Sequence, residues 1–244
     1  MITIDLNCDL GEGMKNDAML MSHISSCNIA CGGHYGDENS IALTLQLAVK
    51  HNVKAGAHPS FEDHENFGRV FRDISRSRFR ESVTQQIHLF QETAQKVGVK
   101  MHHIKMHGAL YHATANREDF SDWLVEFMLE FYPKTILYVA PHSILEEKCQ
   151  LYKIPYWKEG FADRLYDNDV KLVSRTEPDA LITNYQTAAR QIEQMVKEQK
   201  VTSNKGIETN LSIDTICIHG DNLELTKDLE QVVAQLKSNH ISIG

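Results

Sequence analysis

Seven times along this chain a short apolar or β-branched run of strand length gives way to a longer segment of helical period. The runs lie at residues 2–7, 26–31, 53–57, 103–106, 136–140, 154–157 and 215–218. Between them, Ile41, Leu45, Ala48 and Val49 follow i, i+4, i+7, i+8 spacing, and Val83, Ile87, Phe90, Ala94 and Val97 continue such a stripe over a longer helix. Both stripes read as core faces. Further helical segments fit residues 118–131, 143–150, 185–200 and 223–238. This alternation is the pattern of βα units feeding a parallel sheet.

A length of 244 residues allows one α/β barrel or two small domains. No low-complexity linker, long charge run or solenoid repeat divides the chain, so one domain over residues 1–244 is expected. An open doubly wound sheet is the architectural rival, but no Gly-x-Gly-x-x-Gly turn follows the first strand. The chain therefore reads as α/β, a seven-stranded parallel (β/α) barrel. A net charge of -8 argues against a nucleic-acid partner, since phosphate backbones require a dense cationic face. No stretch approaches the roughly 20 apolar residues of a membrane span. The first residues lack the pattern of a signal peptide, so the cytoplasm is the expected address and no membrane partner is expected. Cys8, Cys27, Cys31, Cys149 and Cys217 form no disulfide-dense framework and are expected to be reduced and mostly buried.

In a parallel barrel the carboxyl ends of the strands meet on one face. The first strand runs into Asp5-Leu-Asn7-Cys-Asp9-Leu-Gly-Glu12, and alternation turns Asp5, Asn7 and Asp9 to one side, into the barrel. Glu12 stands between Gly11 and Gly13, where capping a turn is an equally good reading. The second strand ends Asn28-Ile-Ala-Cys31-Gly-Gly-His34, with Asp37 read as a helix cap. The third ends at His58-Pro59, followed by a loop carrying Arg69. The fourth places Lys105 and His107 on one face, with Tyr111 beyond, and an ammonium within an apolar strand is costly unless it is used. Glu159, Asp163 and Arg164 follow the sixth strand, and His219 and Asp221 the seventh. His34, His58, His107 and His219 at four strand ends together suggest acid–base work, whereas His102 and His103 read as structural or surface groups. Cys31 is the one thiol at the rim, either a nucleophile or small packing.

Six segments in this order, Asp5-Leu-Asn-Cys-Asp-Leu-Gly-Glu-Gly13, Asn28-Ile-Ala-Cys-Gly-Gly-His34, Gly56-Ala-His-Pro-Ser60, Lys105-Met-His-Gly-Ala-Leu-Tyr111, Glu159-Gly-Phe-Ala-Asp-Arg164 and His219-Gly-Asp221, resemble the LamB/YcsF family, the A subunits of 5-oxoprolinase. The resemblance spans nearly the whole chain. It implies a barrel of the glycoside hydrolase/deacetylase type and a part in the ATP-dependent opening of 5-oxoproline to glutamate. Partner subunits B and C are implied as well, with ATP consumed on those partners, since this chain has no Walker-type loop. The chain departs from the usual pattern at Gly33, Tyr35, Val70, Met106 and Leu223, and none of these changes removes a rim acid, His or Lys.

Opening a lactam needs an attacking water, a base, oxyanion stabilisation and protonation of the leaving nitrogen. The residues expected to carry the chemistry are Asp9, His58, Lys105, His107 and His219. Asp9 with His34 or His58 would activate water, Lys105 and Arg164 would hold the substrate carboxylate or the oxyanion, and His107 or His219 would be the acid. Asn7, Glu12, Asn28, His34, Arg69, Tyr111, Glu159, Asp163, Arg164 and Asp221 are the expected substrate-binding set. Two rivals stand beside this reading. One is a metal-dependent deacetylase or amidase with Asp9, His34 and His58 as candidate ligands of a divalent ion. The other is a non-catalytic substrate-binding subunit. Homo-oligomers are compatible with each.

Overall fold

The computed structural model describes residues 1–244. In chain order the elements are β1 (Ile2–Leu10), α1 (Asp17–Leu20), β2 (Ser26–Ala30), α2 (Glu38–His51), β3 (Lys54–His58), α3 (Arg76–Val97), β4 (His103–Ile104), α4 (Gly108–Asn116), α5 (Glu118–Phe131), β5 (Ile136–Val139), α6 (Ile144–Tyr152), β6 (Tyr156–Phe161), α7 (Tyr185–Glu193), β7 (Lys200–Thr202), β8 (Glu208–Asn210), β9 (Thr215–His219), α8 (Leu223–Thr226), α9 (Leu229–Ser238) and β10 (Ile241–Ile243). Seven strands, β1 to β6 and β9, pair in parallel, and β9 returns to pair with β1, so the sheet closes into a barrel. These are the seven runs visible in the sequence. The last strand, β10, adds in parallel to Ile2, Thr3 and Ile4, outside the ring.

The two faces of β1 show how the barrel is filled. Leu6, Cys8 and Leu10 are buried members of the apolar core, together with Ile41 and Leu45 of α2, Phe79 and Phe90 of α3 and Phe120 of α5. Each such side chain contributes about 1.5–3 kcal/mol when taken out of water. Asp5, Asn7 and Asp9 alternate with them and are equally buried, but polar. Asp5 accepts hydrogen bonds from Ser25, Ser26 and Thr215 at 2.6–2.8 Å. Above it, His103 stacks on Tyr138 with ring centroids 4.0 Å apart. Gly56 makes room for that ring, because a Cβ there would lie 2.3 Å from His103 Nε2. His103 is thus a buried structural group.

Asp37 caps α2 as expected, accepting from Ser40 N at 2.8 Å in a capping box. Ile41, Leu45 and Ala48 are buried, but Val49 is 59% exposed, since it lies past the edge of the stripe. The segment read as one helix over 185–200 is α7 followed by a π-helical turn at Gln194–Glu198. Similarly, 223–238 divides into α8 and α9. The helix α4 had no one-sided stripe to announce it: Ala109, Leu110, Tyr111, Ala113, Thr114 and Ala115 are all buried. Its first residue, Gly108, has φ +54°, and a Cβ there would meet the Gly68 carbonyl oxygen at 2.6 Å. This close approach seats the loop carrying Arg69 against α4, with Ala109 N donating to Gly68 O at 2.9 Å.

Candidate active site

At the carboxyl ends of the strands lies a cavity of about 450 Å³ whose walls include Asp9, His58, Lys105, His107 and His219. Its floor centres on Lys105, which β4 carries into the barrel beyond its last paired residue. Lys105 Nζ donates to Asp9 Oδ1 at 2.9 Å, lies 2.9 Å from Glu159 Oε1 and 3.2 Å from Cys217 Sγ. Burial works to discharge this ammonium, but Asp9, Cys217 and Glu159 hold its pKa well above the ordinary lysine value. Burial likewise opposes ionisation of Asp9, yet His58 and Lys105 hold its carboxyl well below the usual range. The net arrangement is a buried ion pair, not an unpaired charge.

Amides fix these groups from below. Asn28 Nδ2 donates to Asp9 Oδ1 at 2.8 Å and to Asn7 Oδ1 at 2.7 Å, while Asn28 Oδ1 accepts from His103 Nε2 at 2.7 Å. Asn7 Nδ2 donates to Glu159 Oε1 at 3.0 Å and Thr215 Oγ1 at 2.8 Å. Asn7, Asn28 and Glu159 therefore stand behind the pocket wall and orient the groups that form it. Cys217 was not singled out from the sequence, although its spacing of two from His219 along β9 turns it to the same inward face.

The hydrogen bonds of His58 and His107 determine where their protons are. His58 Nδ1 lies 2.8 Å from the Lys105 carbonyl, and His107 Nε2 lies 3.0 Å from the Phe67 carbonyl. A carbonyl only accepts, so each of these nitrogens carries a hydrogen. The remaining nitrogens, His58 Nε2 and His107 Nδ1, face each other at 2.9 Å. Two neutral rings would bring two lone pairs together there, so the contact requires a cation between them: a proton or a metal ion. Asp9 Oδ2 lies 3.4 Å from His58 Nε2, and Glu12 Oε1 lies 3.5 Å from His107 Nδ1. One ligand atom from each of Asp9, Glu12, His58 and His107 falls within 4.8 Å of the others.

His34 stands outside this quartet. Ser60 Oγ donates to the Phe61 carbonyl at 2.8 Å and is left to accept from His34 Nδ1 at 3.0 Å. His34 Nε2 then faces Glu12 Oε1 at 2.9 Å, a contact satisfied when Glu12 carries the proton. Burial, followed by the charges of Asp9 and Asp221, pushes the Glu12 pKa well above its ordinary value. Burial and then His58 push that of His34 down to about 2. Among the metal candidates read from the sequence, Asp9 and His58 thus meet, whereas His34 is replaced by Glu12 and His107.

Higher up, His219 Nδ1 donates to the buried Asp163 carboxylate at 2.9 Å, and its ring stacks against Phe161 at 5.5 Å. Asp163, also held by Asn222 Nδ2 at 3.3 Å, orients His219 from behind the wall. Asp221 accepts from Arg69 and, at 3.1 Å, from Arg175. Arg69, Tyr111 and Arg164 line the cavity, together with His112, Phe161, Ser174, Arg175 and Thr176, which no sequence pattern singled out. Residues 174–176 belong to an irregular loop without strand or helix period. Cys31 is fully buried, and burial pushes its thiol up to about 12, so it is small packing and not a nucleophile.

The LamB/YcsF family model matches residues 4–244. The A subunit of 5-oxoprolinase from Bacillus cereus (strain Q1) is 39% identical over 249 aligned residues, covering 100% of this chain and 98% of that one. The crystal structure of a lactam utilization protein from Thermus thermophilus superposes with a TM-score of 0.91 at 30% identity, covering 99% of both chains. A family 4 carbohydrate esterase from Streptomyces lividans, at 7% identity and a TM-score of 0.50 over 99% of this chain and 91% of that one, shares the fold alone.

Proposed function

The chain belongs to the LamB/YcsF family, and from that premise we propose that it is the hydrolytic A subunit of an ATP-dependent 5-oxoprolinase. In this reading it opens the activated lactam to glutamate, while partner subunits B and C use ATP to phosphorylate the amide oxygen. The observation that carries the chemistry is the cation demanded between His58 Nε2 and His107 Nδ1, which in this reading is a proton. That proton is poised for a leaving nitrogen. His219 is the complementary base: its Nδ1–H is fixed by Asp163, so its Nε2 lone pair is available, the arrangement that orients a general base.

The step then balances. Water oxygen bonds to the ring carbon that carries the phosphorylated oxygen as His219 takes a water proton, Lys105 stabilises the charge on the oxygens of that carbon, and the electron pair of the carbon–nitrogen double bond goes to nitrogen, which takes the proton of the His58–His107 pair. The remaining carbon–nitrogen bond then breaks with its electron pair going to nitrogen, which takes the proton from His219, while the new hydroxyl closes to a carbonyl and returns its proton to the pair. A second water hydrolyses the resulting acyl phosphate to glutamate and inorganic phosphate. Arg164, at the wall, holds the substrate carboxylate. The hydrogen bonds thus favour His219 as base over His34, whose two nitrogens are both engaged. General acid–base catalysis of this kind contributes about 10²–10⁴-fold. In a mixture of this chain with subunits B and C, glutamate should form from 5-oxoproline only with ATP, and His219→Gln should lower kcat by at least about 100-fold with the fold intact by circular dichroism. Full activity in His219→Gln would remove the assigned base, and ATP-independent turnover would remove the activation scheme.

The same facing nitrogens support a second reading, a metal-dependent amidase. Asp9, Glu12, His58 and His107 suit a divalent transition-metal ion, and the carbonyl bonds of both imidazoles are the outer-shell partners metal-bound histidines use. Such an ion would supply Lewis-acid polarisation of the substrate carbonyl. Stoichiometric metal in untreated protein, with chelator-sensitive hydrolysis independent of ATP, would favour this reading over the first.

A further inference from the structure

Neither His102 nor His103 lines the pocket, yet an unbroken chain of hydrogen bonds joins them to its floor, and the direction of each bond is forced. Thr215 Oγ1 gives its single hydrogen to Asp5 Oδ2 at 2.6 Å, so it can only accept from Asn7 Nδ2 at 2.8 Å. The other acceptor of that amide nitrogen is the Glu159 carboxylate at 3.0 Å. Asn7 therefore turns its oxygen toward Asn28, which must meet it, and Asp9 Oδ1, with its own NH₂ group at 2.7 and 2.8 Å. That leaves Asn28 Oδ1 facing His103 Nε2 at 2.7 Å, a contact satisfied only when the ring nitrogen carries hydrogen. Burial, and then the charge of His102, push the pKa of His103 well below the ordinary histidine value, so the ring is neutral and its Nδ1 holds a lone pair. His102 Nδ1, 3.1 Å away, must then donate to it.

Both amide hydrogens of Asn28 are spent on Asn7 and Asp9, so its aim at Asp9 depends on what holds the opposite side of the amide. His103 is the only donor there, and its ring is itself clamped by the Tyr138 stack and by His102. Asp9 Oδ1 takes Lys105 Nζ as well as Asn28 Nδ2, so a shift of Asn28 passes directly to the ion pair of the pocket floor. We propose that His103 is a positioning residue: through the Asn28 amide it holds Asp9 in register with Lys105, from behind the floor and away from the reacting atoms. Its effect on turnover rests on the ring-opening reading above, whereas its effect on Asn28 rests on the hydrogen bonds alone.

Two substitutions separate the bond from the packing. His103→Phe keeps a ring against Tyr138 and removes the donor, whereas His103→Gln gives up the ring and keeps an N–H for Asn28 Oδ1. In the full chain mixed with subunits B and C, His103→Phe should lower kcat about 10- to 100-fold at nearly unchanged KM, and His103→Gln should stay within about threefold of wild type. The Gln variant should do so despite a lower melting temperature from the lost stacking. The reverse order, or a folded but inactive His103→Gln, overturns the proposal, because packing and not the bond would then matter. A second readout needs no turnover. Nitrogen-15 NMR of the full-length chain alone should place hydrogen on His103 Nε2 and His102 Nδ1, and the Asn28 side-chain amide signals should move in His103→Phe and stay near wild type in His103→Gln. Hydrogen on His103 Nδ1, or Asn28 signals indifferent to His103→Phe, overturns the positioning role. Where His103→Phe does not fold, the wild-type tautomers and His103→Gln decide. A wild-type mixture that leaves 5-oxoproline untouched sinks the ring-opening reading, and the NMR signals then decide the positioning role by themselves.

Discussion

On the pocket floor Lys105 lies 2.9 Å from a carboxylate oxygen of both Asp9 and Glu159, whereas at the mouth Arg69 and Arg175 share the single carboxylate of Asp221 and Arg164 donates only to the Val173 carbonyl. The floor is closed on itself by amides and almost fully buried; the mouth is partly exposed and unbalanced. The difference teaches a division of labour. Charges that must hold reacting atoms in place are neutralised by the fold, so their removal damages the fold, whereas charges that recruit a ligand are left for the ligand to neutralise. Substitutions on the floor should therefore cost stability and activity together, and substitutions at the mouth should cost binding alone.

The largest effect is expected at Lys105. Lys105→Met leaves Asp9 and Glu159 buried without their cation, which should cost about 3–5 kcal/mol in urea unfolding and abolish turnover. A stable, inactive Lys105→Met would show that the floor is not held together by its charges. Next comes Gly56→Ala, whose Cβ would meet the His103 ring at 2.3–2.6 Å. Overpacking of this kind costs about 1–3 kcal/mol, and measurable unfolding at lower urea would show it.

Acid should weaken the floor and spare the mouth. His34 is held neutral to about pH 2 in the fold, while in the unfolded chain it takes up a proton below its ordinary value of 6.5. The unfolded state then binds more protons, so the stability due to His34 is present above pH 6.5 and is lost as the pH falls toward 2. At pH 5 the loss is about 2 kcal/mol, and His34→Gln should flatten the slope of stability against pH between 5 and 7. The smallest effect is expected at the mouth, where Arg69→Gln, losing a half-exposed ion pair, should change unfolding free energy by less than about 1 kcal/mol.

The floor was largely legible in the sequence, because it is built on strands and a strand has a period of two. Asp5, Asn7 and Asp9 share a face for that reason, as do Lys105 and His107. Cys217 obeys the same rule, two residues before His219. The mouth was legible only in part. Arg175 and Thr176 sit on a loop whose shape comes from isolated contacts such as Arg164 with Leu181, and no local pattern predicts those. Nor could the sequence separate His34 from His58 as a neighbour of Asp9. That distinction depends on Ser60 and Glu12 engaging both nitrogens of one ring while two carbonyls engage the outer nitrogens of His58 and His107. The helix α4 escaped notice for another reason, since a helix buried on nearly all sides has no polar face to set its period.

The measurement closest to the centre of this account is nitrogen-15 NMR of the histidine side chains in metal-stripped, full-length chain at neutral pH. It should show hydrogen on His58 Nδ1 and His107 Nε2, and a single further proton shared between the facing nitrogens of the pair. Two neutral rings, with one of them donating through its facing nitrogen and no extra proton, would contradict it.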